Sequence, residues 1–234
     1  AVQVEINVEQ TVLSIDEALA RGRFHTEPHT IARGDLPRAF AEADLVLSGE
    51  ERIPGQDHFY LETQAALVFP EEDGTMRVRS STQHPSEVQH VVAETLGLPS
   101  NRVVCEVPRM GGAFGGKESQ ASPFAAFAAL GAWATGRPCR CWLHREQDMA
   151  WTGKRHPFLA RWKAAFAKDG RLLGFDIKLF SNGGWSADLS GPVMDRALFH
   201  AASAYHIPAF RVTGRVCATN LPSNTAFRGF GGPQ

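Results

Sequence analysis

An Asp169-Gly170 pair divides two runs of strand character, FLARWKAAFA at 158–167 and RLLGFDIKLF at 171–180. Asp-Gly favours the tight reversal that joins two antiparallel strands, so the pattern predicts a hairpin in the middle of the chain. A regular doubly wound sheet has no place for it, because neighbouring strands there run parallel through crossovers. Around the hairpin, helices and strands alternate irregularly. Strands are expected at 2–7, over HFYLETQAALVF at 58–69, over MRVRSST beyond the EEDG turn at 71–74, over RVVCEVPR at 102–109, over RPCRCWLHR at 137–145 and around 208–217. Ser14 with Glu17 three residues on forms a helix-start signal, and 36–43 and 192–204 also read as helices. Over 85–98, Val88, Val91, Val92 and Leu96 fall on one helical stripe that Gly97 terminates. Residues 118–135 are apolar nearly all round, which predicts a buried helix with Pro123 in its first turns. The expected fold class is α+β: mixed β-sheets with helices packed on one face.

The 234 residues, 43% of them hydrophobic, suffice for one large domain or two small ones. A net charge of -1 gives no broad basic field, which argues against nucleic acid as a partner. The short basic cluster Lys154-Arg155-His156 reads as solvated surface. The longest apolar run, FAAFAALGAWA at 124–134, falls well short of the roughly 20 residues of a membrane span. Cys105, Cys139, Cys141 and Cys217 contain no Cys-x-x-Cys spacing, so zinc or iron–sulfur ligation is weakly supported. Reduced, buried thiols in a cytoplasmic protein are expected, with Cys139 and Cys141 on one face of a strand. No leader opens the chain and it ends on the turn residues GFGGPQ, so a piece of a longer protein is expected.

RMGGAFGGKES at 109–119 is the densest motif. Gly111-x4-Gly116-Lys117, between a strand and a helix, matches most of a phosphate-binding loop. That motif requires Ser or Thr next, and here Glu118 would repel phosphates. Nucleotide binding therefore stays a minor alternative. What remains is the backbone logic: glycines bring main-chain N–H groups close to a ligand. By itself the stretch reads as a turn from a strand into a buried helix. It is accompanied by a polar cluster, STQHPSEVQH at 81–90, by Arg196 in MDRALFH at 194–200, and by a second glycine–aromatic loop, NTAFRGFGGPQ at 224–234. Taken singly, Gln83 is a helix-start residue, Arg196 a structural ion-pair partner and Phe230 a core ring.

Together these segments, with GQDHFYLE at 55–62, SSTQHPSE at 80–87, TGKRHPF at 152–158, SADLSGPVMDRALFH at 186–200 and SNTAFRGFGGPQ at 223–234, resemble the molybdenum-binding subunits of the xanthine dehydrogenase family, in the bacterial separate-subunit form. The resemblance spans nearly the whole chain, in order. It implies a molybdenum cofactor-binding domain-like fold. Residues 1–35 would be the tail of a preceding domain and a linker, and 36–234 the first part of the molybdopterin-binding domain, truncated at its C-terminus. It implies oxidation of hypoxanthine and xanthine to urate, with water as the oxygen source. An aldehyde oxidase-like hydroxylase and an inactive docking module are the other readings.

The resemblance also assigns the site. Gln83, Phe114 and Arg228 would surround molybdenum by hydrogen bonds or main chain rather than side-chain ligation, with Gly112 and Gly115 approaching the molybdopterin. Glu118 and Arg196 would face each other across the purine as catalytic and substrate-binding residues. The guanidinium there would offset negative charge that develops on the heterocycle, and Phe230 would hold the ring. Related aldehyde oxidases replace both charged residues with apolar ones. Ala113 stands where a third glycine is frequent, and His84 where mammalian members often have asparagine. FAD and 2Fe-2S clusters are expected on a partner small subunit. A glutamate general base is expected in the missing C-terminal half, leaving this fragment inactive by itself.

Overall fold

The Asp169-Gly170 turn closes the hairpin: β7 (Phe158–Phe166) and β8 (Leu172–Gly184) pair antiparallel, with Gly170 at φ 86. The protein is described by a computed structural model over residues 3–6 and 10–234. The remaining elements are α1 (Ile15–Ala20), β1 (His29–Arg33), α2 (Leu36–Ala41), β2 (Leu45–Ile53), β3 (Ala65–Pro70), β4 (Met76–Ser80), α3 (Pro85–Leu96), β5 (Val103–Glu106), α4 (Ser122–Thr135), β6 (Cys139–Trp142), α5 (Arg145–Trp151), α6 (Ser190–His200) and β9 (Ala209–Ala218). They form two mixed sheets, β1-β9-β8-β7-β2 and β5-β4-β3-β6. Among the described residues, only β8–β9 and β4–β5 pair parallel. A parallel pair needs a crossover, and α6 and α3 supply the two.

In the five-stranded sheet, Ile177 and Leu179 of β8 meet Met194 and Leu198 of α6, together with Phe210 and Val212. Phe180, pointing the other way, packs with α1, Leu159 and Cys217. In the four-stranded sheet, Val68, Val78 and Val103 meet Val88 and Val92 of α3 and Ala125, Ala129 and Ala132 of α4. The five valines of this cluster are fully buried, each contributing about 1.5–3 kcal/mol relative to exposure. Cys139 and Cys141 share the face that packs against this cluster, and all four cysteines are free thiols. No helix among the described residues is long and apolar enough to cross a membrane.

Ser14 caps α1 by accepting from the Glu17 N–H, Asp35 caps α2, and Gly97 ends α3 at φ 66. Other expectations are corrected. Residues 3–6 form no strand, while 2 and 7 lie outside the described residues. The strand expected over 58–69 begins only at Ala65, because residues 58–64 spend their polar groups on the candidate site. Helix α4 starts at Ser122 and is buried on its alanine side alone, leaving Phe127, Leu130 and Trp133 exposed. The Lys154-Arg155-His156 cluster is not solvated surface. His156 is buried with Nε2 2.8 Å from Ser190 Oγ, Arg155 lies over the Phe227 ring, and Lys154 pairs with Asp57. Burial pushes the His156 imidazole down to about 4.

The sheets place four loops together. Residues 81–84, 107–121, 185–189 and 219–231 follow the carboxyl ends of β4, β5, β8 and β9, the four strands of the two parallel pairs.

Candidate cofactor and substrate site

The first glycine loop is held from beneath by residues 58–64. Glu62 N–H donates to Gly111 O at 3.0 Å, and Glu62 Oε2 accepts from Gly111 N at 2.7 Å and Ser81 Oγ at 2.8 Å. Burial works against the Glu62 charge, but those donors and nearby Lys117 outweigh it and hold the carboxyl below its usual range. Lys117 is fully buried. Its ammonium donates to Glu62 O at 2.7 Å and Ser81 Oγ at 2.6 Å and sits 4.5 Å from the Tyr60 ring centroid. Burial lowers its pKa to about 8 despite Glu62. A phosphate-binding loop needs its lysine free to meet the phosphates; this one is committed inward, so the nucleotide-binding alternative loses its main cation. Behind it, Asp148 accepts from Tyr60 Oη and Gln64 N, both at 2.7 Å, and Gln64 Nε2 donates to Gly116 O at 3.1 Å.

The two glycine loops meet backbone to backbone. Arg228 N donates to Phe114 O at 2.8 Å. Gly115, at φ 101, lies so close to the second loop that a Cβ would stand 2.8 Å from Ala226 O. Any other residue would be both strained and blocked there. Phe114 itself takes a left-handed φ of 53 and leaves its ring half exposed. Gly112, at φ 92, passes beside Tyr60, and Ala113 is buried. His58 ties the second loop down: Nε2 is 2.6 Å from Ala226 O, and its ring stacks on Phe227 at 4.6 Å.

Gln83 is oriented by the first loop. Its Oε1 accepts from Gly115 N at 2.9 Å and Lys117 N at 3.3 Å, and its own N–H donates to Lys117 O at 2.9 Å. With the carbonyl end engaged, the Nε2 donors face away, bonded to no described residue. Glu118 follows on the same loop. Burial raises its pKa; His84 opposes the rise and Asp188 adds to it. Arg196 is exposed on α6 and forms no ion pair or hydrogen bond with a described residue, so it is no structural ion-pair partner. No ion pair joins Glu118 and Arg196. Phe230, half-buried at φ 49, precedes Gly231, which lies directly against the backbone of Val193 and Ala197 on α6. The Phe230 loop and the helix of Arg196 are thus in contact.

The geometry therefore gathers Gln83, Gly112, Phe114, Gly115, Glu118, Arg228 and Phe230 on or beside two interlocked loops, with Arg196 on α6, which touches the second loop at Gly231. Their supports His58, Tyr60, Gln64 and Asp148 escape sequence reasoning, although three of them lie in or beside GQDHFYLE.

Residues 21–234 match the family described as "Molybdopterin cofactor-binding domain". The chain belongs to the molybdopterin cofactor-binding domain family. Within curated relatives of this family, it is 50% identical over 224 residues to the xanthine dehydrogenase/oxidase of Mus musculus, covering 95% of this chain and 17% of that protein. It is 48% identical over 229 residues to the xanthine dehydrogenase of Drosophila subobscura, covering 97% and 17%. The chain thus spans under a fifth of the length of these relatives. Among solved structures, the aldehyde oxidoreductase of Desulfovibrio desulfuricans superposes with a TM-score of 0.88 at 26% identity, over 98% of this chain and 26% of that one. The Desulfovibrio gigas enzyme gives 0.81 at 31%, over 89% and 23%. The molybdopterin-binding fold is therefore shared with enzymes named for purine and for aldehyde substrates.

The residues present suit such a cofactor. Gln83 has a fixed amide with unspent donors, and Gly112 and Gly115 expose main chain without side chains.

Proposed function

We propose that this chain is part of a xanthine dehydrogenase-type molybdenum hydroxylase of the bacterial separate-subunit form. It would supply part of the cofactor site and part of the purine site of an enzyme that oxidises hypoxanthine and xanthine to urate, with water as oxygen donor. The observation that carries this reading is the presence of two charged side chains, Glu118 and Arg196, on converging elements with no ion pair between them.

When bound, the molybdenum centre would supply oxygen transfer and two-electron redox chemistry. Gln83 would donate from Nε2 to its oxo group, positioned by the Gly115 and Lys117 N–H bonds already described. Gly112, Phe114, Gly115 and Arg228 would line the cofactor with main chain. Arg196, permanently charged and planar, would stabilise negative charge developing on a purine more in the transition state than in the ground state. Glu118 would hydrogen-bond ring N–H or carbonyl groups; its raised pKa favours a protonated fraction that can donate. Phe230 would fix the flat ring for attack.

The purine reading is preferred to an aldehyde one because a small aldehyde gives a half-buried carboxyl and an exposed guanidinium on separate elements nothing to bind together. The aldehyde-named structures are less identical to this chain than the xanthine dehydrogenases are. We propose further that FAD and 2Fe-2S clusters reside on a partner small subunit, that the general base lies in sequence beyond residue 234, and that these 234 residues do not turn over alone. The test is Arg196→Met in the full-length protein. Hypoxanthine turnover should fall by about 10²–10³-fold while molybdenum content is retained. Parallel loss of the metal would mark Arg196 as structural and remove the argument for a purine site.

A further inference from the structure

Asp188 ends the loop between β8 and α6, at a left-handed φ of 41 unusual for a non-glycine residue. An acidic residue just before a helix is ordinarily a cap, but here the cap position is Leu189 and no side chain caps α6. The carboxylate instead reaches across to the first glycine loop. Oδ1 accepts from Ser119 Oγ at 2.6 Å, and Oδ2 accepts from Gln120 Nε2 at 2.5 Å. Ser119 and Gln120 directly follow Glu118.

The same two residues extend to the second loop. Ser119 Oγ lies 3.3 Å from Thr225 Oγ1, and Gln120 Nε2 donates to Ser223 O at 3.3 Å, while Gln120 Oε1 accepts from Gly153 N at 3.0 Å. Asp188 is therefore the junction between the segment carrying Glu118 and the helix carrying Arg196. Both carboxylate oxygens are engaged by uncharged donors, and no cation among the described residues pairs with it.

We infer that Asp188 is a positioning residue that sets the span between Glu118 and Arg196, and so the fit of a bicyclic purine between them. This rests on the purine reading above. The selection acts on ligands that must touch both residues at once. A small aldehyde reaches at most one, and is indifferent to the span.

The experiment uses the full-length, molybdenum-loaded protein. In Asp188→Ala, the Kd for urate by calorimetry and the KM for hypoxanthine should both rise about tenfold. Molybdenum content should stay at the wild-type level, and kcat/KM for acetaldehyde should change by less than about twofold. In an Arg196→Met background, the Asp188→Ala change in urate affinity should disappear, as expected for residues that act through one another. Should Asp188→Ala not fold, Asp188→Asn carries the same readout, since it keeps an acceptor for Ser119 and loses only the Gln120 bond; Ser119→Ala should shift affinity in the same direction. Equal losses for hypoxanthine and acetaldehyde, or an undiminished effect in the Arg196→Met background, overturn the inference. Full urate affinity in Arg196→Met alone would instead refute the purine reading, so the two failures are distinguishable.

Discussion

Arg228 N and Phe114 O are joined by a 2.8 Å hydrogen bond that closes the second glycine loop onto the first. Both residues present main chain inward to each other while Phe114 keeps its ring, and Arg228 its guanidinium, toward solvent. The bond explains why glycines cluster on either side of it: Gly115 and Gly229 sit at φ 101 and 97, where a Cβ would enter the opposing chain or its own turn. The two loops thus fold as one surface.

Gly115→Ala tests that surface. The new methyl would be 2.8 Å from Ala226 O on rigid backbone, so destabilisation of about 2–4 kcal/mol is expected. Gly136→Ala, also left-handed at φ 64 but with open space around it, should cost only about 1 kcal/mol. Chemical denaturation of both variants makes the comparison, and similar costs would show that the loops do not press together.

Lys117 gives a pH signature. Its folded pKa of about 8 lies below the usual lysine value of about 10.4, so between these values the unfolded chain binds the extra proton. Its contribution to stability therefore rises as pH climbs through that window. Lys117→Met removes the contribution. The stability gap between wild type and Lys117→Met should widen in favour of wild type from pH 8 to pH 10, as measured by urea titrations at each pH. A constant gap would mean that the ammonium is not desolvated.

Glu118 works in the opposite sense. Burial raises its pKa in the folded state, so the stability associated with its protonated form is present below the ordinary carboxylate pKa and lost as pH rises through the folded value. Glu118→Gln should melt about 1–2 °C higher than wild type at pH 7 and equal to it at pH 4. Purine turnover in the full-length protein should fall in the same variant. Greater stability with lower activity would identify a carboxyl retained for binding rather than for folding.

The asymmetry of α4 is measurable. Ala129 is fully buried, whereas Phe127 is 62% exposed and Trp133 54% exposed. Ala129→Leu should destabilise by about 1–3 kcal/mol through overpacking. Phe127→Lys should change stability by less than about 0.5 kcal/mol. Thermal melting of the pair checks which face is inside.

Legibility in the sequence followed the physics of each segment. The hairpin was readable because Asp169-Gly170 demands a backbone few other pairs adopt, and α3 because its valine stripe ends at Gly97. Strands β1 and β2 went unread because they are sheet edges: every residue of HTIAR and LVLSGEERI is exposed or half-buried, so burial leaves no alternation to find. The 58–64 stretch looked like strand because it is aromatic. In the structure His58, Tyr60 and Gln64 act as hydrogen-bonding supports for partners distant in the chain. For α4, periodicity registers every apolar residue alike and does not separate small inward alanines from large outward rings. At the site, the glycine loop itself was visible, and the resemblance pointed to Gln83, Glu118, Arg196 and Phe230. The inward commitment of Lys117 was not visible, because its spacing is identical whether its ammonium meets phosphates or carbonyls.

Helix α6 is the crossover between the parallel strands β8 and β9, so Arg196 rides on an element both of whose ends are pinned by one ladder. Glu118 and Phe230, by contrast, arrive on irregular turns. In the proposed site, one side would therefore be anchored by topology and the other by turns whose sequence is less constrained by the sheet. Lineages that change substrate would be expected to resculpt the turns first, and to replace the helix-borne side chain by point substitution without moving its anchor.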